Sequence, residues 1–103
     1  MSQIAVDLPT KNQFLENLDS DFRATLDDGR SIDFHLFKLE TTISNKVQDA
    51  FSILFRAPSD APPEQGTFHL EHGVLGSFDL FLVPIKQKED GLYFEAVFNR
   101  LLL

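Results

Sequence analysis

Apolar and polar residues alternate with a period of two along most of this chain, and the alternation breaks at residues that favour turns. In the middle, Phe68 and Leu70 alternate within Thr67–His72, and Phe78, Leu80, Leu82 and Pro84 within Ser77–Ile85, with Gly73–Gly76 as the turn between them. This predicts a hairpin with one apolar face, which neighbouring strands have to cover. Upstream, Phe22, Ala24 and Leu26 alternate from Asp21, and Asp27-Asp28-Gly29 supplies a turn before Ser31–Glu40. That second arm starts with Ile32, Phe34 and Leu36 on one face, and its apolar positions then change parity to Phe37 and Leu39. Either a β-bulge or a strand covered on both sides produces such a change. Thr41–Lys46 is polar and reads as a loop, whereas Val47–Ala57 places Phe51, Ile53 and Phe55 on one face. Three of the five prolines then fall within Ala57–Gly66, which excludes a regular strand and predicts a surface loop. Glu89-Asp90-Gly91 predicts a further turn, and a last strand, Leu92–Leu102, has Phe94, Ala96 and Phe98 inward.

The helical period occurs once. Thr10 and Gln13 have the spacing of a capping box, and Phe14, Leu15 and Leu18 follow on one side, which predicts an amphipathic helix over residues 11–18. Two turns of helix are not stable alone, so its apolar side must rest on the sheet. Residues 1–9, with Ile4, Val6 and Leu8 alternating before Pro9, read as a loosely held arm. The expected architecture is therefore mainly β. It has about six antiparallel strands over residues 20–102, in a coiled meander or small partly closed barrel, with one short N-terminal helix. Closure disposes of exposed strand edges. An open sheet with the helix on one face is the alternative.

The 103 residues fit a single domain, and eleven phenylalanines within a 43% hydrophobic composition supply its core. Cysteine is absent, which excludes disulfides and thiolate ligands. The net charge of −7 is spread evenly, with eight acids and four bases in residues 1–45 and eight acids and five bases in residues 46–103. Nucleic-acid binding needs clustered Lys and Arg, so no nucleic-acid partner is expected. No secretory leader and no apolar window of spanning length occurs, so a cytoplasmic location without a membrane span is expected.

Chemistry-bearing patterns are few. His69 and Glu71 alternate on one side of a strand, and His35 and His72 complete the candidate metal ligands, yet no recognised ligand spacing is present. The expectation is no metal and no cofactor. For His72, at a strand end beside Gly73, a hydrogen bond to the turn backbone is the more ordinary role. Ser77 is not centred in a Gly-x-Ser-x-Gly elbow, no phosphate-binding glycine loop occurs, and no carboxylate spacing singles out an acid–base pair.

A second apolar face stands out instead. Phe37, Leu39, Leu54, Phe81, Val83, Tyr93, Val97 and Leu101 occupy the parity opposite to the inward set. Either the helix carrying Phe14, Leu15 and Leu18 covers this face, or a partner does. Leu101-Leu102-Leu103 adds further apolar surface.

Gly66-Thr67-Phe68, Glu71-His72-Gly73, Leu75-Gly76, Phe81-Leu82-Val83-Pro84 and Tyr93-Phe94-Glu95-Ala96-Val97-Phe98-Asn99-Arg100, with Phe51-Ser52-Ile53-Leu54-Phe55-Arg56 before them, form a recurring set. In these residues the chain resembles, over roughly residues 20–101, a family of small bacterial proteins classed only as a domain of unknown function. The resemblance implies a bacterial stand-alone domain with no catalytic residues to carry over. An association with phage-tail-like or surface-fibre components would fit an assembly role. Within the resembling stretches, Arg100 is expected to pair with Glu71 or Asp79 across the sheet.

The functional expectation is a non-enzymatic protein–protein interaction or assembly module, with a protein partner or self-association through Phe37, Leu39, Phe81, Val83, Tyr93, Val97 and Leu101. The alternative is a carrier or sensor that holds a small apolar ligand inside a Phe-rich barrel.

Overall fold

The computed structural model describes residues 8–101. Most of the arm at residues 1–9, with Ile4 and Val6, lies outside the described residues, as do Leu102 and Leu103. One helix, α1 (Lys11–Glu16), precedes six strands: β1 (Ser20–Thr25), β2 (Ser31–Ser44), β3 (Gln48–Ala57), β4 (Gly66–His72), β5 (Gly76–Lys88) and β6 (Gly91–Leu101). All strand pairs are antiparallel, and the sheet closes on itself in the order β1-β2-β3-β6-β5-β4.

The ring consists of two meanders, β1–β3 and β4–β6, connected by residues 58–65. One joint between them is long, with β3 and β6 paired from Gln48 opposite Leu101 to Ala57 opposite Leu92. The other is short, with Arg23 opposite Glu71 and Ala24 opposite Leu70. Hairpin neighbours follow from local turns, but both joints depend on strands far apart in sequence.

β2 carries a register shift between Leu36 and Lys38. This bulge explains the parity change read in the sequence. It leaves Phe37 half-buried on the outside and returns Leu39 to the core side, where Leu39 packs against the buried cluster. β2 also runs on through Thr41–Ser44, which the sequence reading assigned to a loop. Thr41, Ile43 and Ser44 lie opposite Phe51, Ala50 and Asp49, so the ladder with β3 overrides the polar pattern. The turn itself is held by the Asn45 side chain, whose Oδ1 accepts from the Val47 and Gln48 amides.

The interior is filled by side chains. Phe14, Phe22, Phe34, Phe51, Phe55 and Phe94 are fully buried, together with Leu36, Ile53, Leu70 and Leu82. The aromatic rings meet mostly edge to face, as Phe34 does with Phe55, Phe68 and Phe94 at centroid distances of 5.9, 5.2 and 5.2 Å.

The helix is two residues shorter than the sequence predicts, ending at Glu16, and its capping box forms as predicted. Thr10 Oγ1 accepts from the Gln13 amide, and Gln13 Oε1 accepts from the Thr10 amide. The helix covers one end of the ring rather than an outer face. Its one fully buried residue, Phe14, meets Phe22, Phe78 and Phe98 at 6.4, 6.2 and 5.5 Å, while Leu15 is exposed. The reading in which this helix hides the second apolar face is therefore corrected: a six-residue helix with one inward aromatic serves as an end plug. Loop 58–65 lies toward the opposite end and buries Ala61 in the same core.

Gly91 opens β6 with φ +150, and a Cβ there would stand 2.3 Å from the Ala57 carbonyl oxygen. Only glycine permits that approach of β6 to β3.

Candidate functional site

The three histidines sit in three separate settings. His35 and Asp21 lie opposite each other on β2 and β1, and Nδ1 is 2.8 Å from Asp21 Oδ1, with Asp19 3.6 Å from Nε2. His69 lies opposite Asp79 on β4 and β5, with Nδ1 2.7 Å from Asp79 Oδ1. Both are cross-strand pairs on exposed faces, an arrangement worth a few tenths of a kcal/mol up to about 1 kcal/mol each. Glu71, which alternates with His69, lies opposite Arg23 and Ser77 instead of sharing a ligand with His69. Among the described residues no group of three or more His, Asp and Glu side chains is placed to hold a metal ion.

His72 differs from the other two. Its Nδ1 accepts from the backbone amides of Val74 and Leu75, both at 3.1 Å, as the turn-bonding reading predicts. That fixes the proton on Nε2, which donates over 2.8 Å to Ser20 Oγ, and Ser20 Oγ in turn donates to the Asn17 carbonyl. The ring also lies 4.3 Å from Phe22, and burial lowers the His72 pKa below its ordinary 6.5. A serine next to an imidazole invites comparison with a nucleophile and its base. Here the polarity is reversed: the imidazole Nε2–H donates a hydrogen bond to the serine oxygen, and the ring has no free lone pair for accepting the serine proton. The constellation ties the β4–β5 turn to the end of α1. Sequence reading identified His72 but not Ser20, whose partner lies 52 residues away and leaves no local signal.

Arg100 does not reach Glu71 or Asp79, which corrects the expected pairing. Its Nη2 donates to the Pro9 carbonyl at 3.0 Å, and its guanidinium lies 5.8 and 5.7 Å from the Phe51 and Phe98 ring centroids. The reason is parity. Arg100 follows Phe98 at the inward spacing and falls at the ring end beneath the helix, whereas Glu71 and Asp79 face outward on the other meander. Lys11 Nζ lies at the same end, 3.6 Å from Asp49 Oδ1, a buried oxygen with no hydrogen-bond donor among the described residues.

The second apolar face divides in two. On one part, Phe37 meets Tyr93 edge-on at 5.4 Å, and the Tyr93 hydroxyl donates to both carboxylate oxygens of Asp90 at 3.0 and 2.9 Å. Leu54 is buried nearby between the opposing positions of Lys38 and Glu95, whose aliphatic stems can cover it. This part is satisfied within the chain. On the other part, Phe81, Val97 and Leu101 are 53%, 71% and 70% exposed, and Val83 beside them is half-buried.

These residues flank a discontinuity in the ring. The β5–β6 ladder runs from Lys88 opposite Gly91 to Val83 opposite Glu95, and among the described residues it goes no further. Below that point, Gly76–Leu82 pairs with β4 only and residues 96–101 pair with β3 only. The ring is thus split along part of one side. Phe14 fills the interior behind the split, and exposed apolar side chains stand on both lips. Unpaired strand edges beside exposed apolar side chains are a template for pairing with another chain. No sequence signal marks this seam, because strand order is not encoded in local periodicity.

A second opening, a surface cleft of about 490 Å3, lies between the β1–β2 turn and β4. Asp27, Asp28 and Glu64 line it, and Arg30 there is engaged by Asp28 at 2.9 Å and Asp60 at 3.4 Å. The Arg30 amide and guanidinium hold the Asp28 carboxyl below its usual range. Leu26, Pro62 and Phe68 also line it, so its wall is mixed polar and apolar. Among the described residues no helix is long and apolar enough to cross a membrane.

Neither a curated protein nor a solved structure matches this chain. A family model does, over residues 9–98, which takes in the helix, all of β1 to β5 and most of β6. The chain belongs to the family described as Domain of unknown function (DUF6916).

Proposed function

We propose that this chain is a non-enzymatic protein–protein interaction module whose docking surface is the strip formed by Phe81, Val83, Val97 and Leu101. The observation that carries this reading is the exposure of Phe81, Val97 and Leu101, beside half-buried Val83, on the two lips of an interrupted ladder, while the helix serves as an end plug. An exposed Phe, Val and Leu grouped on adjacent strands is unfavourable in water and is commonly retained for contact. The carrier reading has less support. The interior is occupied by fully buried aromatic and aliphatic side chains, so an apolar guest would have to displace them. The reversed polarity of the Ser20–His72 contact supports a non-enzymatic role.

Photo-crosslinking in the host cell tests the reading. A photoreactive side chain at position 81 or 97 is expected to give protein adducts of defined mass. The same group at Val74, which is 76% exposed on the β4–β5 turn, is expected to give none. Absence of adducts at 81 and 97, or equal labelling at 74, would overturn it.

A further inference from the structure

We propose that the free edge of β6, residues 96–101, accepts an extended segment of another protein by strand addition, and that this segment has apolar side chains on one face and lysine or arginine at its ends. The proposal rests on the interaction reading above and specifies the mode of contact and the partner's chemistry.

Three observations carry it. The first is the backbone. Among the described residues, β6 from Ala96 onward is paired with β3 on one side only, so every second residue directs its N–H and C=O into the seam. Six residues of edge span about 20 Å, the length of an ordinary strand. An added strand satisfies these groups in the way that peptide-binding sheets do. The second is the side-chain pattern. Val97 and Leu101, both about 70% exposed, share the outward face of β6, and Phe81 projects outward from the opposite lip. A segment lying on the β6 edge with apolar side chains on its outward face gains contact with all three. Its inward side chains must be small, because Phe14 already occupies the space behind, against Phe78 and Phe98.

The third is charge. The outward positions of β4, of β5 from Ser77 to Val83, and of β6 from Glu95 carry Glu71, Glu95 and Asp79, the last of these held by His69, but no lysine or arginine. Arg100 has the opposite parity and is engaged by Pro9 and two aromatic rings. The surroundings of the seam are therefore negative, in a chain of net charge −7. A second copy would bring the same carboxylates and the same net charge to the edge, whereas a basic segment is attracted to it.

The probe is a synthetic peptide that alternates valine and serine over about six residues, the length of the free edge, with lysines at both ends. Three controls accompany it: a version ending in glutamates, a version N-methylated at alternate amides, and the protein variant Val97→Lys. Binding is followed by fluorescence anisotropy and located by amide hydrogen exchange. The lysine-ended peptide is expected to bind and to slow exchange in residues 96–101. The glutamate-ended peptide, and the lysine-ended peptide on Val97→Lys, are expected to bind at least about tenfold more weakly. N-methylation is expected to abolish binding, since it removes backbone donors while leaving the side chains. Equal binding of the N-methylated peptide, or protection that falls outside β6, overturns strand addition. Crosslinks at positions 81 and 97 without peptide binding would leave the interaction reading in place and sink this one. A concentration-dependent doubling of mass in light scattering, reversed by Val97→Lys, would assign the edge to a second copy instead and overturn the heterologous partner.

Discussion

At the scale of single residues, position 72 links the protonation of one ring to the stability of the fold. The His72 imidazole accepts two amide hydrogens at Nδ1, so a proton there would face two N–H dipoles. The groups around it are Asp21, Arg23, Asp33 and Glu71 across the nearby surface, which are not hydrogen-bonded to the ring, and Ser20, which accepts from it. Burial lowers the folded-state pKa below 6.5, so the unfolded chain binds the proton more readily. Stability from this group is then complete above the unfolded pKa and falls as the pH drops through it toward the lowered folded value. Urea midpoints at pH about 7.5 and about 5.5 are expected to differ more for the wild type than for His72→Asn, whose amide oxygen can accept the same backbone hydrogens without titrating. Equal pH dependence in the two proteins would remove His72 as a contributor. At Gly91 the constraint is steric. Gly91→Ala puts a methyl 2.3 Å from the Ala57 carbonyl at φ +150, and a loss of at least about 2 kcal/mol in denaturant unfolding is expected.

At the scale of elements, the helix and the bulge show where local pattern is sufficient and where it fails. The Thr10–Gln13 box and the turns at Asp27–Gly29 and Gly73–Gly76 are written in adjacent residues, and each formed where the sequence places it. The parity change at Phe37 was legible as a bulge or a doubly covered strand, and only the ladder with β3 chooses the bulge. What the helix covers was not legible, because helical periodicity states that Phe14, Leu15 and Leu18 share a side but not which surface receives them. The histidines were visible as residues, while Asp21, Asp79 and Ser20 became their partners through pairing across strands. The plug reading of α1 makes a graded prediction. Phe14→Ala removes a ring that touches Phe22, Phe78 and Phe98 and is expected to cost about 3–5 kcal/mol. Thr10→Ala removes only a cap and is expected to cost about 1 kcal/mol. If the helix merely decorated the end of the ring, the two losses in equilibrium unfolding would be comparable.

At the scale of the whole molecule, two three-stranded meanders share one aromatic core, and their joints are unequal. The β3–β6 joint is paired along its full length, the β1–β4 joint through two residue pairs, and the β5–β6 hairpin separates beyond Val83 and Glu95. The long joint places the buried faces of the two meanders together, so it is expected to open only with global unfolding. The seam edges, which lack a ladder on one side among the described residues, are expected to exchange through local opening. Native-state hydrogen exchange can separate these cases, with slow amides at Phe51, Ile53, Phe55 and Phe94 and faster seam-side amides within residues 76–82 and 96–101. The same asymmetry predicts how substitutions divide. Val97→Thr lies on an exposed lip and is expected to change stability by no more than about 0.5 kcal/mol, and Phe81→Ser, whose residue is 53% exposed, by about 1 kcal/mol. Phe78→Ser and Phe98→Ser, at inward positions near them on the same strands, are expected to cost several times more, about 3 kcal/mol or above. Loss of crosslinking in Phe81→Ser and Val97→Thr, with folding intact, would separate the docking surface from the core that supports it. If those two variants instead unfold like the inward pair, the strip belongs to the core and its exposure cannot serve a partner.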